Sequence, residues 1–254
     1  MPPAQLIAFD IDQTLTESKT TIDTEMAGLL LRLVKEKRIA IVSGAPLSQC
    51  LEQVVNKIGC TPEELQNVSI IPTNGAALYT YSDGWHAVYE ELLTLEEKKS
   101  ILDAFEQAFV ATHFEKENPD ARGPIIEDRG SQITFSALGS NGPLELKMKW
   151  DPDFSKRKAM VAVITPLLSG FSISMGGATS IDVTRKGITK AMGLSRLAAH
   201  LHISLQDVLY VGDALFPGGN DSSVTSLGVR TASVAIPGLD DTKALLKGWF
   251  TDLV

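Results

Sequence analysis

The chain has 254 residues and a formal net charge of −8, and its 44% apolar and 21% charged content is that of an ordinary globular protein. The acidic balance argues against nucleic acid as a partner, because phosphate backbones recruit faces rich in Lys and Arg. No apolar run approaches the ~20 residues of a membrane span, and the opening "MPPAQ" lacks the regions of a signal peptide, so no membrane partner and a cytoplasmic location are expected.

"LIAF" at residues 6–9 is continuously apolar, as expected of a central parallel strand covered on both faces. Met26, Leu29, Leu30, Leu33 and Val34 recur at helical spacing, with Asp23 or Thr24 available as a cap. "RIAIVSGAP" is a second buried strand, with Pro46 placed to start a helix, and "VSIIPTNGAALY" is a third strand running into Asn74-Gly75. The strand–helix rhythm predicts a doubly wound, Rossmann-like parallel α/β sheet. After residue 80 the rhythm changes. "ALYTYSDGWHAVYEE" reads as a hairpin turning at Asp83-Gly84, followed by a helix from Thr94 to about His113. "SQITFSALG" and "LELKMKW" alternate as antiparallel strands do, "DPDFSKRKAMVAVITPLL" is helical, and "FSISMGGATSIDV" makes two more strands. From Lys186 the α/β rhythm returns: a helix to about His202, strand "VLYVGD", a loop and helix, strand "TASVAI", and a last helix from Asp240. The expected organisation is a core of residues 1–82 and 186–254 interrupted by an α+β cap of residues 83–185 with an antiparallel sheet. Such a cap can hinge over a cleft. Cys50 and Cys60 lack metal-ligand spacing and read as reduced thiols.

Ligands of open parallel sheets bind at the carboxyl ends of the strands, and the polar residues gather there. Asp10 and Asp12 follow the first strand, Ser43-Gly44 the second, Asp213 the late strand "VLYVG", and Asn220-Asp221 the loop beyond it. The carboxylates alone would form a repulsive pit, so a divalent cation is expected, and hard oxygen donors suit Mg²⁺. A carboxylate can attack a dianionic phosphate ester only when their repulsion is neutralised. Lys190, at the start of a predicted helix, is the candidate ammonium, with Lys186 as its competitor. Ser43 and the amides of Gly44 and Ala45 offer neutral donors to the same oxygens. Asp10 is then the nucleophile, forming an aspartyl-phosphate. Asp12 is the acid that protonates the leaving alkoxide and the base that activates the next acceptor.

"DIDQTLT", "VSGAP", "GITK" and "GDALFPGGND" resemble the four ordered motifs of the haloacid dehalogenase-like (HAD) hydrolase superfamily, and the insert resembles its type IIB cap. Within it, "GDALFPGGND", "FSISMGGATSIDV" and "EDRGSQITFSALG" are similar to eukaryotic-type phosphomannomutases. The resemblance implies a Mg²⁺-dependent enzyme acting on a small phosphorylated sugar, and a homodimer through the cap as the family analogy. It implies a candidate metal set of Asp10, Asp12, Asp213, Asn220 and Asp221, leaving open which of the last two touches the ion. It also implies Arg129, Ser180 and Asp182 as sugar- or phosphate-binding residues. Lys19, Ser140 and Lys147 stand where those mutases carry arginine, and Gln13 stands where they carry glycine. Lysine grips a second phosphate less well than a bidentate arginine, so a sugar-phosphate phosphatase and a strict phosphomannomutase are both expected readings. A receiver-type signalling domain and an inactive HAD-like scaffold are the readings from other classes. The chain is too long, and its first Asp too early, for a receiver.

Overall fold

The computed structural model describes residues 2–17, 20–217, 219–235 and 238–251. Its first elements are β1 (Leu6–Phe9), α1 (Thr24–Val34), β2 (Arg38–Val42), α2 (Leu47–Cys50), α3 (Asn56–Ile58), α4 (Pro62–Leu65), β3 (Val68–Ile71), β4 (Ala77–Tyr81) and β5 (Trp85–Glu90). Next come α5 (Leu95–Ala111), β6 (Ile126–Asp128), β7 (Ile133–Ser136), α6 (Leu144–Trp150), α7 (Ser155–Leu167), β8 (Phe171–Gly176) and β9 (Ser180–Arg185). The chain closes with α8 (Lys190–His200), β10 (Val208–Gly212), β11 (Arg230–Ser233) and α9 (Leu239–Thr251). These elements form two compact units, Met1–Glu90 with Thr189–Val254, and Glu91–Ile188.

In the first unit the described strands form one seven-stranded sheet in the order β11-β10-β1-β2-β3-β4-β5. Pairing is parallel from β11 to β3 and antiparallel through β4 and β5. The apolar runs are continuous because alternate side chains enter different cores. Ile7, Phe9, Ile39, Ile41 and Val211 join Met26, Leu30 and Leu33 of α1 and Leu246 and Phe250 of α9. Leu6, Ala8, Ala40, Val42 and Tyr210 join Leu194 and Leu197 of α8. Each such large aliphatic or aromatic side chain contributes about 1.5–3 kcal/mol relative to exposure. Asp23 caps α1 as expected, accepting from the Met26 amide at 2.8 Å.

In the second unit the sheet runs β6-β7-β9-β8, all antiparallel. Ile133, Phe135, Ile181 and Val183 pack with Phe105 and Phe109 of α5 and Met160 and Ile164 of α7. The Phe109 and Phe135 ring centroids are 5.2 Å apart. The residues between them, Thr134, Ser136, Ser180 and Asp182, turn to the other face of the sheet, where their side chains bond to one another.

Three expectations change. "LELKMKW" is the helix α6, not a strand. Its alternating residues Leu144 and Met148, or Leu146 and Trp150, are also i,i+4 pairs, and Leu, Glu, Lys and Met are strong helix formers. Leu144 and Met148 are exposed, so no apolar strand face exists here. The expected division at residues 82/83 falls inside the β4–β5 hairpin, both strands of which lie in the seven-stranded sheet. The helix expected after β10 is a 3₁₀ segment, Ser222–Leu227.

Candidate active site

The register of the parallel strands sets the site. Phe9 is level with Val211 of β10 and with Ile41 of β2, so Asp10, Asp213 and Ser43 emerge at one carboxyl edge. The Asp10 amide donates to Val211 O at 3.0 Å, which carries the strand pairing up to the site itself. Behind Ser43 the chain makes a tight turn through Thr73 and Asn74, with φ of 49° and 55°. The Asn74 amide donates to Ser43 O and the Thr73 amide to Ala45 O, each at 2.9 Å. Helix α8 reaches this edge because Gly193 has no side chain: a Cβ there would stand 2.6 Å from Ile71 Cγ2 and 2.8 Å from Gly75 Cα. Thr189 caps the helix, accepting from the Met192 amide at 3.1 Å, and places Lys190 in its first turn.

The Lys190 ammonium is 1% exposed and donates to Asp10 Oδ1 at 2.6 Å and to Asp221 Oδ1 at 2.7 Å. Of the two candidate ammonium groups, that of Lys190 is the one bonded to Asp10 and Asp221. Burial works against its charge, but the two carboxylates outweigh it and hold its pKa above the ordinary lysine value. The Tyr210 hydroxyl donates to Asp221 Oδ1 at 2.6 Å and the Ala214 amide to Asp221 Oδ2 at 3.2 Å. Asp213 is half-buried, with Thr14 Oγ1 at 3.5 Å from its Oδ1.

Oxygens of Asp10, Asp213 and Asp221 lie within 4.8 Å of one another, and among the described residues the ion pairs of this cluster are those of Lys190 with Asp10 and Asp221. Burial pushes the Asp10 carboxyl well above the usual range; Lys190 opposes this, while Asp221 and Asp213 reinforce it. Burial, then Asp221, raises Asp213 as well. Among the described residues, Asp10 Oδ2 and Asn220 Oδ1 are buried acceptors with no hydrogen-bond donor. Buried polar atoms are rarely left so, and an orphan Asp10 oxygen within a cluster of three carboxylates fits a hard divalent cation. Asp221 already receives three donors, whereas Asp10 Oδ2 receives none.

The remaining expected residues are distributed as follows. Asp12 is half-buried and its carboxylate stands outside the three-carboxylate cluster. Ser43 is 2% exposed, and its Oγ accepts from the Ala45 amide at 3.1 Å, so its own proton remains to be donated while that amide is engaged. Gly44, beside it, is half-buried. Lys19 lies outside the described residues. In the second unit, Arg129 Nη2 donates to Glu127 Oε2 at 2.7 Å. Gln132 Nε2 donates to Thr134 Oγ1, which donates to Asp182 Oδ1, both at 2.8 Å. The Ser180 and Ser136 hydroxyls share a 2.9 Å bond. Lys147 is 5% exposed and donates to Ser140 O at 2.8 Å.

Sequence reasoning passed over Tyr210 and the buried pair Asp151–Arg157. Tyr210 is the one hydroxyl-bearing residue in "VLYVG", a signal that was there to read. Asp151 and Arg157 sit in the charged run "DPDFSKRK", where nothing local marks which charges turn inward.

Comparison with known proteins agrees with this architecture. The family described as eukaryotic phosphomannomutase matches residues 26–252. The phosphomannomutase of Encephalitozoon cuniculi is 29% identical over 251 residues, covering 93% of this chain and 90% of its own. That of Spinacia oleracea is 29% identical over 247 residues, covering 94% and 93%, and that of Saccharomyces cerevisiae 27% over 256 residues, covering 98% and 95%. Among solved structures, N-terminally truncated Plasmodium falciparum IMP-nucleotidase superposes with a TM-score of 0.72 at 19% identity, over 97% of this chain and 70% of that one. A haloacid dehalogenase-like hydrolase from Bacteroides thetaiotaomicron gives 0.63 at 16% identity, over 97% and 100%. With the family match running from the first helix to the last, the chain belongs to the eukaryotic phosphomannomutase family, phosphoryl-transfer enzymes on the HAD-like fold.

Proposed function

We propose that the protein transfers a phosphoryl group on a hexose phosphate through an aspartyl-phosphate at Asp10, with Mg²⁺ as its cofactor. The observation that carries this is the buried Lys190 bridging Asp10 and Asp221 while Asp10 Oδ2 stands without a donor. One oxygen of the Asp10 carboxylate forms the bond to phosphorus as the ester P–O bond breaks, and the departing alkoxide takes a proton from Asp12. Asp12 then removes a proton from the acceptor hydroxyl, whose oxygen takes the phosphoryl group back from Asp10. Lys190 and the Ser43 hydroxyl hold the non-bridging oxygens. Asp10, Asp213 and Asn220 would hold Mg²⁺, with Asp12 and Asp221 as further oxygen donors. When bound, the ion supplies the positive charge that lets a carboxylate and a dianion approach. Arg129, Lys147, Ser180, Asp182, Gly44 and Lys19 are the proposed substrate-binding residues.

The family favours a mutase that interconverts mannose 1-phosphate and 6-phosphate. A phosphatase is the second reading. Lys147, where the resemblance expects arginine, spends a hydrogen bond inside its own unit on Ser140 O. A lysine with one N–H so engaged grips a second phosphate less well than a bidentate arginine. One incubation separates the two readings. Mannose 1-phosphate with Mg²⁺ and catalytic hexose bisphosphate is expected to yield mannose 6-phosphate from a mutase and free mannose from a phosphatase. In Asp10→Asn both products should fall by at least about 10³-fold, with the fold intact by circular dichroism. Full activity in that variant would remove the nucleophile assignment.

A further inference from the structure

Asp221 is wholly buried, and the donors on it are not equivalent. Lys190 Nζ at 2.7 Å and the Tyr210 hydroxyl at 2.6 Å both donate to Oδ1, and the Ala214 amide donates to Oδ2 at 3.2 Å. Asp10 Oδ1 contests the same ammonium at 2.6 Å. Two carboxylates thus share one cation, and the tyrosine stands behind one of them. We propose that Tyr210 is a positioning residue for phosphoryl transfer: its hydroxyl takes up charge on Asp221 Oδ1 and keeps the Lys190 ammonium directed at Asp10 and the incoming phosphoryl oxygens. This rests on the reading of Asp10 as nucleophile given above.

Packing alone does not call for the hydroxyl. Tyr210 sits in the core formed by Leu6, Ala8, Ala40, Val42 and Leu194, where a phenylalanine ring would fill the same space with no polar atom to bury. The backbone is also cleared where the ring meets the carboxylate. A Cβ on Gly212 would stand 2.5 Å from Asp221 Oδ2 and 2.8 Å from Tyr210 Cε1. A hydrogen bond donated to a carboxylate oxygen weakens that oxygen's hold on its other donors. Without the hydroxyl, Lys190 is the sole donor described on Oδ1, and the ammonium is drawn toward Asp221 and away from Asp10.

Tyr210→Phe keeps the ring and tests the hydroxyl. Wild type, Tyr210→Phe and Asp10→Asn are compared in turnover of mannose 1-phosphate, in Mg²⁺ affinity by calorimetry, and in affinity for orthovanadate, a phosphoryl mimic. For a residue acting on the transition state through Lys190, kcat and vanadate affinity are expected to fall together by roughly five- to twentyfold, with KM and Mg²⁺ affinity within about twofold of wild type. Unchanged kcat and vanadate affinity would reduce the tyrosine to a satisfied core residue and overturn the inference. So would a loss that disappears at saturating Mg²⁺, which would make Tyr210 a support for the ion. A wild type that neither turns over nor binds vanadate would remove the nucleophile reading and this one with it.

Discussion

At the residue scale, the motif "DIDQTLT" contains a strained position. Gln13 has φ of 61°, with its amide donating to Thr16 O at 2.8 Å and its carbonyl accepting from the Gly238 amide at 2.8 Å. The left-handed region costs a residue with a Cβ about 1–2 kcal/mol, and glycine returns part of that gain through a more flexible unfolded chain. Gln13→Gly is therefore expected to raise stability by about 0.5–1 kcal/mol in urea unfolding. A loss of stability would mean that the glutamine side chain makes contacts worth more than the strain. Arg129 is the residue-scale test of the cap. Its guanidinium is held by Glu127, and Arg129→Gln is expected to raise KM several-fold for sugar phosphates while leaving small aryl phosphates unaffected. Equal losses on both substrates would place it outside substrate binding. The spacing of Asp10, Asp12, Ser43, Lys190 and Asp213 could be read from the sequence because each follows a strand end or opens a helix. Tyr210 could not be given a task, because its acceptor lies eleven residues away across a loop.

At the element scale, the Asp151–Arg157 pair joins α6, α7 and the β8–β9 turn. Arg157 Nε donates to Asp151 Oδ2 at 2.7 Å, and Nη1 donates to Gly177 O at 2.9 Å and Gly176 O at 3.1 Å. The same carboxylate accepts from the Lys156 amide at 2.9 Å, opening α7. Both side chains are essentially unexposed, so removing one leaves a buried charge without its counter-ion. Arg157→Leu is expected to cost about 3–5 kcal/mol, seen as earlier unfolding of residues 91–188 in urea monitored by hydrogen exchange. Replacing both, as Asp151→Asn with Arg157→Met, should recover part of that loss. An Arg157→Leu cost below about 1 kcal/mol would show the pair to be as weak as an exposed one. The helix α6 marks the limit of pattern reading at this scale. A seven-residue run fits periods of both two and 3.6, and its surroundings in the fold decide between them.

At the scale of the whole molecule, the carboxylate cluster links stability to pH and, with the proposed Mg²⁺ bound, is expected to link it to metal. Burial raises the Asp10 and Asp213 carboxyls above their unfolded values. Between about pH 4, where unfolded carboxyls ionise, and those raised native values, the metal-free fold holds protons that the unfolded chain has released. Its stability therefore falls as pH rises through that window. A divalent cation displaces those protons, so the rise in Tm caused by Mg²⁺ is expected to grow from pH 5 to pH 8 and to vanish with EDTA. A Tm shift that stays flat across that range would count against an ion at ionised Asp10. From sequence alone the doubly wound sheet, the inserted α+β segment and the identity of most charged groups at the strand ends were determined, because each depends on short-range periodicity and on motifs a few residues long. Tertiary structure alone decided that β5 stays in the main sheet, that α6 is a helix, that Asp221 is shared by Lys190 and Tyr210, and that Lys147 turns to Ser140. Those outcomes depend on which surfaces meet and which buried charge finds which donor, and hydrogen bonds between residues far apart in the chain leave no local pattern.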